Sequence, residues 1–122
     1  MFWNEEKKSA FTIIWFGPAV SGWPRTTHGG TLSTIMDESM GRVALRSFPA
    51  GTGVTANLNL NFRRPVAPGR WYVLHAQASE TTERKATITA RLEDLDSRVC
   101  VEAMGIFVVP KTMTLSKITG QF

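Results

Sequence analysis

Cysteine is nearly absent: Cys100 is the only one in 122 residues. An intrachain disulfide is therefore excluded, and so is a zinc site built from several thiolates of this chain. Charge of one dominant sign is also lacking. The chain carries 14 Lys and Arg against 10 Asp and Glu, a formal net charge of +4, with the basic residues scattered. Such a surplus favours an anionic ligand, but there is no tract of the kind that binds nucleic acid or coats a membrane surface. Long hydrophobic runs are missing too. The apolar stretch FTIIWF is cut off by Gly17 and Pro18. It is too short for a membrane span, and from the pattern of the residues before it no secretory leader is expected. Cys100 sits in an apolar, strand-like run, where a small buried side chain is expected rather than a nucleophile. A lone reduced thiol suits an intracellular compartment, so the expectation is a soluble intracellular protein, cytoplasmic in the simplest case.

What is present is an ordinary globular composition, 43% apolar and 20% charged, and a length that suits one domain with a modest core. The expected domain is residues 1–122, with a core over about 10–110 and a surface tail over 111–122. The order of elements reads as a short strand, one long helix and four strands. Residues 11–16 are β-branched and aromatic and suit a strand. GPAVSGWPRTT then reads as loop, and from about 30 to 48 the apolar spacing is helical until FPAGTG ends it. In TANLNLNF, Ala56, Leu58, Leu60 and Phe62 share one face while Thr55, Asn57, Asn59 and Asn61 share the other. WYVLHAQASE, RKATITARLED and RVCVEAMGIFVV read as further strands, and short connections predict that consecutive strands are antiparallel neighbours. The fold class is α+β: a curved antiparallel sheet of about five to six strands with a long helix across one face.

The stretch HGGTLSTIMDES carries the candidate chemistry. At about 100° per residue, Leu32, Ile35, Met36, Met40 and Val43 form the stripe that should face the sheet. Glu38 and Arg42 lie on a polar face, spaced as a surface pair. Asp37 lies on neither face; its neighbours on the wheel are Gly30, Ser33, Thr34, Gly41 and Ala44, none larger than threonine. A small-residue face lets a flat ligand or another backbone come close, and an acid in its middle is poorly placed for mere solubility. Gly29 and Gly30 admit two readings. They serve a turn that needs glycine angles, or they leave the first free N–H groups of a helix bare for an incoming oxygen.

Distance adds a constraint. Gly29 and Asp37 are eight residues apart, roughly 12 Å along a straight helix. One aspartate cannot act on a carbonyl held by the Gly29 of its own helix. If both serve one reaction, they most simply come from two chains with antiparallel helices, which predicts a two-fold dimer with two sites.

HGGTLSTIMDESMG followed by GVTANLNLNFRRPV resembles the hotdog-fold acyl-CoA thioesterases, in particular the PaaI-like and mitochondrial acyl-CoA thioesterase branch. The similarity covers roughly residues 20–110. It implies a long helix wrapped by a curved antiparallel sheet, two subunits joined into a larger sheet, and a further pairing of dimers. The implied reaction is hydrolysis of an acyl-CoA to free acid and CoA, with no metal and no cofactor beyond the CoA of the substrate. By position, Asp37 matches the family's catalytic base or nucleophile. The Gly29 N–H matches the group that polarises the thioester carbonyl, with Gly30 beside it. Thr55 matches the hydroxyl residue that orients the water or carboxylate, and His28 a positioning residue at the mouth of the helix. Some relatives carry an amide side chain where Gly22 stands, so that contact must come from elsewhere. Arg63, Arg64, Arg84 and Lys85 are the candidate partners of the CoA phosphates. The Asn57, Asn59, Asn61 comb suits a wet or interface strand face, His75 has no assigned role, and pocket depth is expected to depend on Trp23, Met40 and Leu45. The competing functions are a hotdog hydratase or dehydratase and a non-catalytic acyl-CoA-binding protein.

Overall fold

The structure, a computed structural model, describes residues 1–17, 21–23, 26–27, 29–49 and 51–110, with the backbone alone at 21–23 and 26–27. Its elements in chain order are β1 (Phe2–Asn4), β2 (Ser9–Trp15), β3 (Ser21–Trp23), β4 (Thr26–Thr27), α1 (Gly29–Ser47), β5 (Val54–Phe62), β6 (Trp71–Thr81), β7 (Lys85–Glu93) and β8 (Val99–Val108). Six strands form one open antiparallel sheet in the order β1-β2-β6-β7-β8-β5, and β3 and β4 pair as a small ribbon within the stretch expected to be loop. The added edge strand β1 comes from an N-terminal segment too short to show a pattern. It folds back on β2 through a turn in which Lys8 takes a φ of 47° and the Asn4 Oδ1 accepts from the Lys7 N–H at 3.1 Å.

One sequence expectation fails instructively. β6, β7 and β8 are consecutive antiparallel neighbours, but β5 does not pair with β6; it lies beyond β8 at the far edge. RRPVAPG is therefore a crossing over the end of the sheet and not a hairpin turn. Three strand spacings, about 15 Å, separate its ends. The crossing is pinned by the Arg63 and Arg64 N–H groups donating to the Cys100 carbonyl at 2.8 and 3.1 Å. Val66 is buried beneath it, and the Ala67 N–H donates to the Tyr72 hydroxyl at 2.8 Å. Two prolines cannot supply the ladder bonds a hairpin would need.

The helix lies across β6 and β7 and also touches β5 and β8, so the sheet curves around it. Leu32, Met36, Met40, Val43 and Ala44 are its buried residues. Ala44 joins the core where the helical wheel placed it on the Asp37 face, and Ile35 is only half-buried. Across the sheet, Ala10, Ala76, Ala90 and Ala103 sit in register on four adjacent strands, leaving depth for the two fully buried methionines, Met36 and Met40. Each such side chain contributes about 1.5–3 kcal/mol by leaving water. Gly105 belongs to the same packing: a Cβ there would lie 2.8 Å from the Phe107 ring and 3.1 Å from the Met40 Cε. No helix among the described residues is long and apolar enough to cross a membrane.

Candidate active site

Thr55 is brought to Asp37 by a defect in β5. Alternation along TANLNLNF puts Thr55 with the asparagines, on the face away from the helix. In the sheet, Thr55 pairs with Phe107 and Asn57 with Ile106, so Ala56 is an extra residue with no partner. One inserted residue reverses the side on which everything before it points. Thr55 thus shares a side with Leu58, which pairs with Gly105, and faces the helix, while Asn57, Asn59 and Asn61 remain on the outer face. The Thr55 hydroxyl donates to the Asp37 Oδ1 at 2.9 Å, across 18 residues of sequence.

Asp37 is half-buried, and the cleft beside it holds about 360 Å³ between Asp37, Glu38, Gly41, Arg42, Leu45, Gly53, Thr55 and Phe107. Gly41, one turn after Asp37, keeps the helix surface low over the Phe107 ring, which a Cβ would meet at 3.7 Å. Leu45 lies a further turn along, half-exposed, so the cleft runs from a carboxylate to an apolar end. Met40, also considered as a determinant of pocket depth, points into the core instead. Glu38 and Arg42 stand at the rim, both exposed, and form no ion pair with each other. Sequence reading missed Phe107 and Gly53. Their only signals are a glycine pair just before a strand and a large ring near the end of an apolar one.

Gly29 opens the helix, and the structure removes one of its two readings. Its φ lies outside the left-handed region, and a Cβ there would meet nothing within 4 Å. Among the described residues, neither backbone angle nor packing calls for glycine at this position. Two of the hydroxyls nearby turn inward: Ser33 donates to the Gly29 carbonyl at 2.9 Å and Thr34 to the Gly30 carbonyl at 3.0 Å. His28 and the side chain of Trp23 lie outside the described residues, as does the 111–122 tail; Gly22 is in the backbone of β3.

The four candidate phosphate partners do not form one cluster in a single chain. Arg84 and Lys85 are at the same end of the sheet as Thr55, since Lys85 and Val54 both pair with Val108. Arg84 donates through Nη1 to the Pro110 carbonyl at 3.1 Å. Arg63 and Arg64 follow the opposite end of β5, about 26 Å from Thr55 at strand rise, and Arg63 is paired with Glu102 at 2.8 Å. His75, unassigned from sequence, sits on the outer face with its Nε2 3.3 Å from the Glu93 carboxylate. Cys100 is buried, as expected, and that burial pushes its thiol pKa up.

Residues 25–101, which contain the helix, Asp37 and Thr55, match the family model described as the thioesterase superfamily. The chain belongs to the thioesterase superfamily. Bovine acyl-coenzyme A thioesterase THEM4 is 32% identical over 109 residues, covering 88% of this chain and 44% of its own length. The chain spans about half the length of the curated relatives it matches. An acyl-CoA hydrolase of Staphylococcus aureus, solved in complex with butyryl coenzyme A, superposes with a TM-score of 0.77 at 20% identity, over 85% of this chain and 64% of that one. A Streptococcus mutans protein solved bound to acetyl CoA superposes at 0.79 with 14% identity, over 90% and 85% of the two chains. The six-stranded sheet on one long helix is the hotdog fold of these thioesterases, with the sheet left open.

Proposed function

We propose that this chain hydrolyses the thioester of an acyl-CoA, giving free acid and CoA, with Asp37 as general base or nucleophile. The observation that carries this reading is the Thr55–Asp37 hydrogen bond at the head of a cleft. It is made possible by the register shift at Ala56. A hydroxyl donating to one carboxylate oxygen fixes the carboxylate and leaves its second oxygen to take a proton from water or to attack directly. In the water route, the oxygen of the water bonds to the carbonyl carbon while Asp37 receives one of its protons. The carbon–sulfur bond then breaks and the proton passes to the CoA thiolate. A thioester is an activated acyl group, so one base and one set of oxyanion donors supply the chemistry, and no metal or further cofactor is required.

The Gly29 N–H, at the positive end of the helix, is the proposed donor to the thioester oxygen, with Gly30 beside it and His28 positioning the substrate. Because Gly29 lies two turns from Asp37, the complete site takes Asp37 and Thr55 from one chain and Gly29 from a two-fold partner. The same symmetry accounts for the split of the cations. Arg84 and Lys85 serve from the near end, and Arg63 and Arg64 of the second chain approach from the far end of an antiparallel β5 to hold the CoA phosphates. The solved relatives that carry butyryl CoA and acetyl CoA support this class of substrate.

The test is CoA release from a panel of acyl-CoAs, followed with a thiol reagent. Asp37→Ala should leave a folded protein whose turnover is lower by two or more orders of magnitude. Turnover near that of the wild type in Asp37→Ala refutes the assignment. Binding of acyl-CoA by the wild type with no release identifies a non-catalytic binder, and hydration of an enoyl-CoA identifies the hydratase reading.

A further inference from the structure

Gly41 stands in the interior of α1, where glycine is destabilising relative to alanine. Its backbone is ordinary helix, with no positive φ. Among the described residues, an added Cβ would meet only the Phe107 ring, at an ordinary contact distance of 3.7 Å. Alanine therefore fits both the helix and the core, and the missing side chain is felt on the cleft side alone. We propose that the acyl chain of the substrate lies across Gly41 and ends at Leu45, so that these two residues select acyl groups of about eight to ten carbons. This rests on the acyl-CoA reading of the cleft, with Asp37 beside the reacting carbonyl.

The lining of the cleft chooses the hydrocarbon over the rest of the substrate. Asp37, Gly41 and Leu45 follow one another at intervals of four residues along the border of the cleft. The Phe107 ring forms the floor, buried and seated on the bare backbone of Gly105, where a Cβ would lie 2.8 Å from it. Glu38 and Arg42 stand on the lip, both exposed. From Asp37 to Leu45 the described surface is thus a glycine backbone, an aromatic ring and an aliphatic side chain. That suits an alkyl chain. The pantetheine arm carries two amides, which would lose water there without gaining partners.

Helix geometry supplies the length. Side chains on a helix all lean toward its N-terminus, so the spacing of Asp37 and Leu45 is kept by their side chains. Leu45 lies about 12 Å beyond Asp37, and position 41 about 6 Å beyond it. A saturated chain advances about 1.3 Å per carbon, from bonds of about 1.5 Å. About nine carbons therefore reach Leu45, and about four or five reach position 41. Volume agrees. With a methylene taking roughly the 30 Å³ share of a water, the cleft of about 360 Å³ holds a chain of this size. Any side chain at 41 would lean toward Asp37 and close the cleft after the first few carbons.

The test is calorimetric binding of S-alkyl-CoA thioethers with four, eight and twelve carbons, which cannot be hydrolysed, beside CoA release from the matching acyl-CoAs. Each methylene half to fully buried gains about two- to fourfold in affinity. Wild-type affinity should therefore rise at least about fifteenfold from four carbons to eight, and change less than about threefold from eight to twelve. Gly41→Leu should abolish the rise beyond four carbons. Gly41→Ala, which the helix and core accept, should cut the advantage of eight carbons over four by about two- to fourfold, as one displaced methylene predicts. It keeps the test open if leucine disturbs the fold, which far-UV circular dichroism checks. Equal losses at all three lengths overturn the proposal and make position 41 a contact of the pantetheine arm or of the second subunit. A wild-type affinity that is flat from four to eight carbons, or that climbs as steeply to twelve, also overturns it. If the length step is present and Gly41→Leu moves it while no acyl-CoA is hydrolysed, the proposal stands and the hydrolysis reading falls.

Discussion

Replacing Thr55 by valine removes one hydroxyl and keeps the shape, the β-branching and the strand. In the free protein the lost bond is worth little. Thr55 is exposed and Asp37 half-buried, so water replaces the hydroxyl at 2.9 Å from the carboxylate. The expected loss of stability is about 1 kcal/mol or less. During turnover a bound acyl-CoA displaces that water. A hydrogen bond to a charged group then contributes about 1.5–3 kcal/mol, which corresponds to a fall in kcat of about ten- to a hundredfold. KM should change much less, since the hydroxyl holds the base and not the substrate. The assay is CoA release at saturating acyl-CoA, repeated in an Asp37→Asn background. If Thr55 acts through Asp37, its removal there should cost almost nothing further. Equal fold-losses in both backgrounds, or wild-type kcat in Thr55→Val, would refute the reasoning. Deleting Ala56 gives an independent check. Without the extra residue, strand alternation returns Thr55 to the asparagine face, and kcat should drop at least as far as in Thr55→Val with the side chain still present.

Two further outcomes are expected. Gly29→Ala should fold with stability equal to or up to about 1 kcal/mol above the wild type, since alanine favours a helix and meets no neighbour within 4 Å; kcat/KM should fall at least about tenfold, because a methyl group crowds the proposed carbonyl site. The buried Cys100 thiol, pushed up in pKa first by desolvation, should be silent to a thiol reagent in the native protein and titrate as one thiol per chain in guanidinium. Rapid reaction under native conditions would contradict its burial and would also add background to the CoA assay.

Local pattern carried much of the fold. The 3.6-residue period marked Leu32, Met36, Met40 and Val43 as core and separated Asp37 from Glu38, and β6, β7 and β8 alternate over most of their length, broken by register shifts at Ala78/Glu80 and Leu92/Glu93. What local pattern could not carry was non-local. β5 pairs with β8 because a helix precedes it and a proline-bearing crossing follows it, so neighbours in sequence became opposite parts of the sheet. Ala56 is chemically unremarkable and nothing in TANLNLNF announces a bulge, so counting by twos puts Thr55 with the asparagines, whereas the register shift turns it to Asp37. Phe107 reaches the cleft only because β8 lies beside β5. β1 was illegible for a different reason: three residues are too few to show a period.

The site drawn from these pieces is divided by distance, and that division can be tested without a structure of the assembly. Asp37 and Thr55 meet within one chain, whereas Gly29 is roughly 12 Å up the helix. Asp37→Ala and Gly29→Val should each be inactive alone. Mixed and reassembled, half of the dimers contain one chain of each kind. If each site takes its acid from one chain and its amide from the other, one site of every mixed dimer has both mutations and the other has neither. Half of the dimers with half of their sites intact gives about a quarter of wild-type activity. If acid and amide came from the same chain, every site in the mixture would carry one defect and no activity would return. The recovered fraction therefore decides whether HGGTLSTIMDES contributes to one active site or to two.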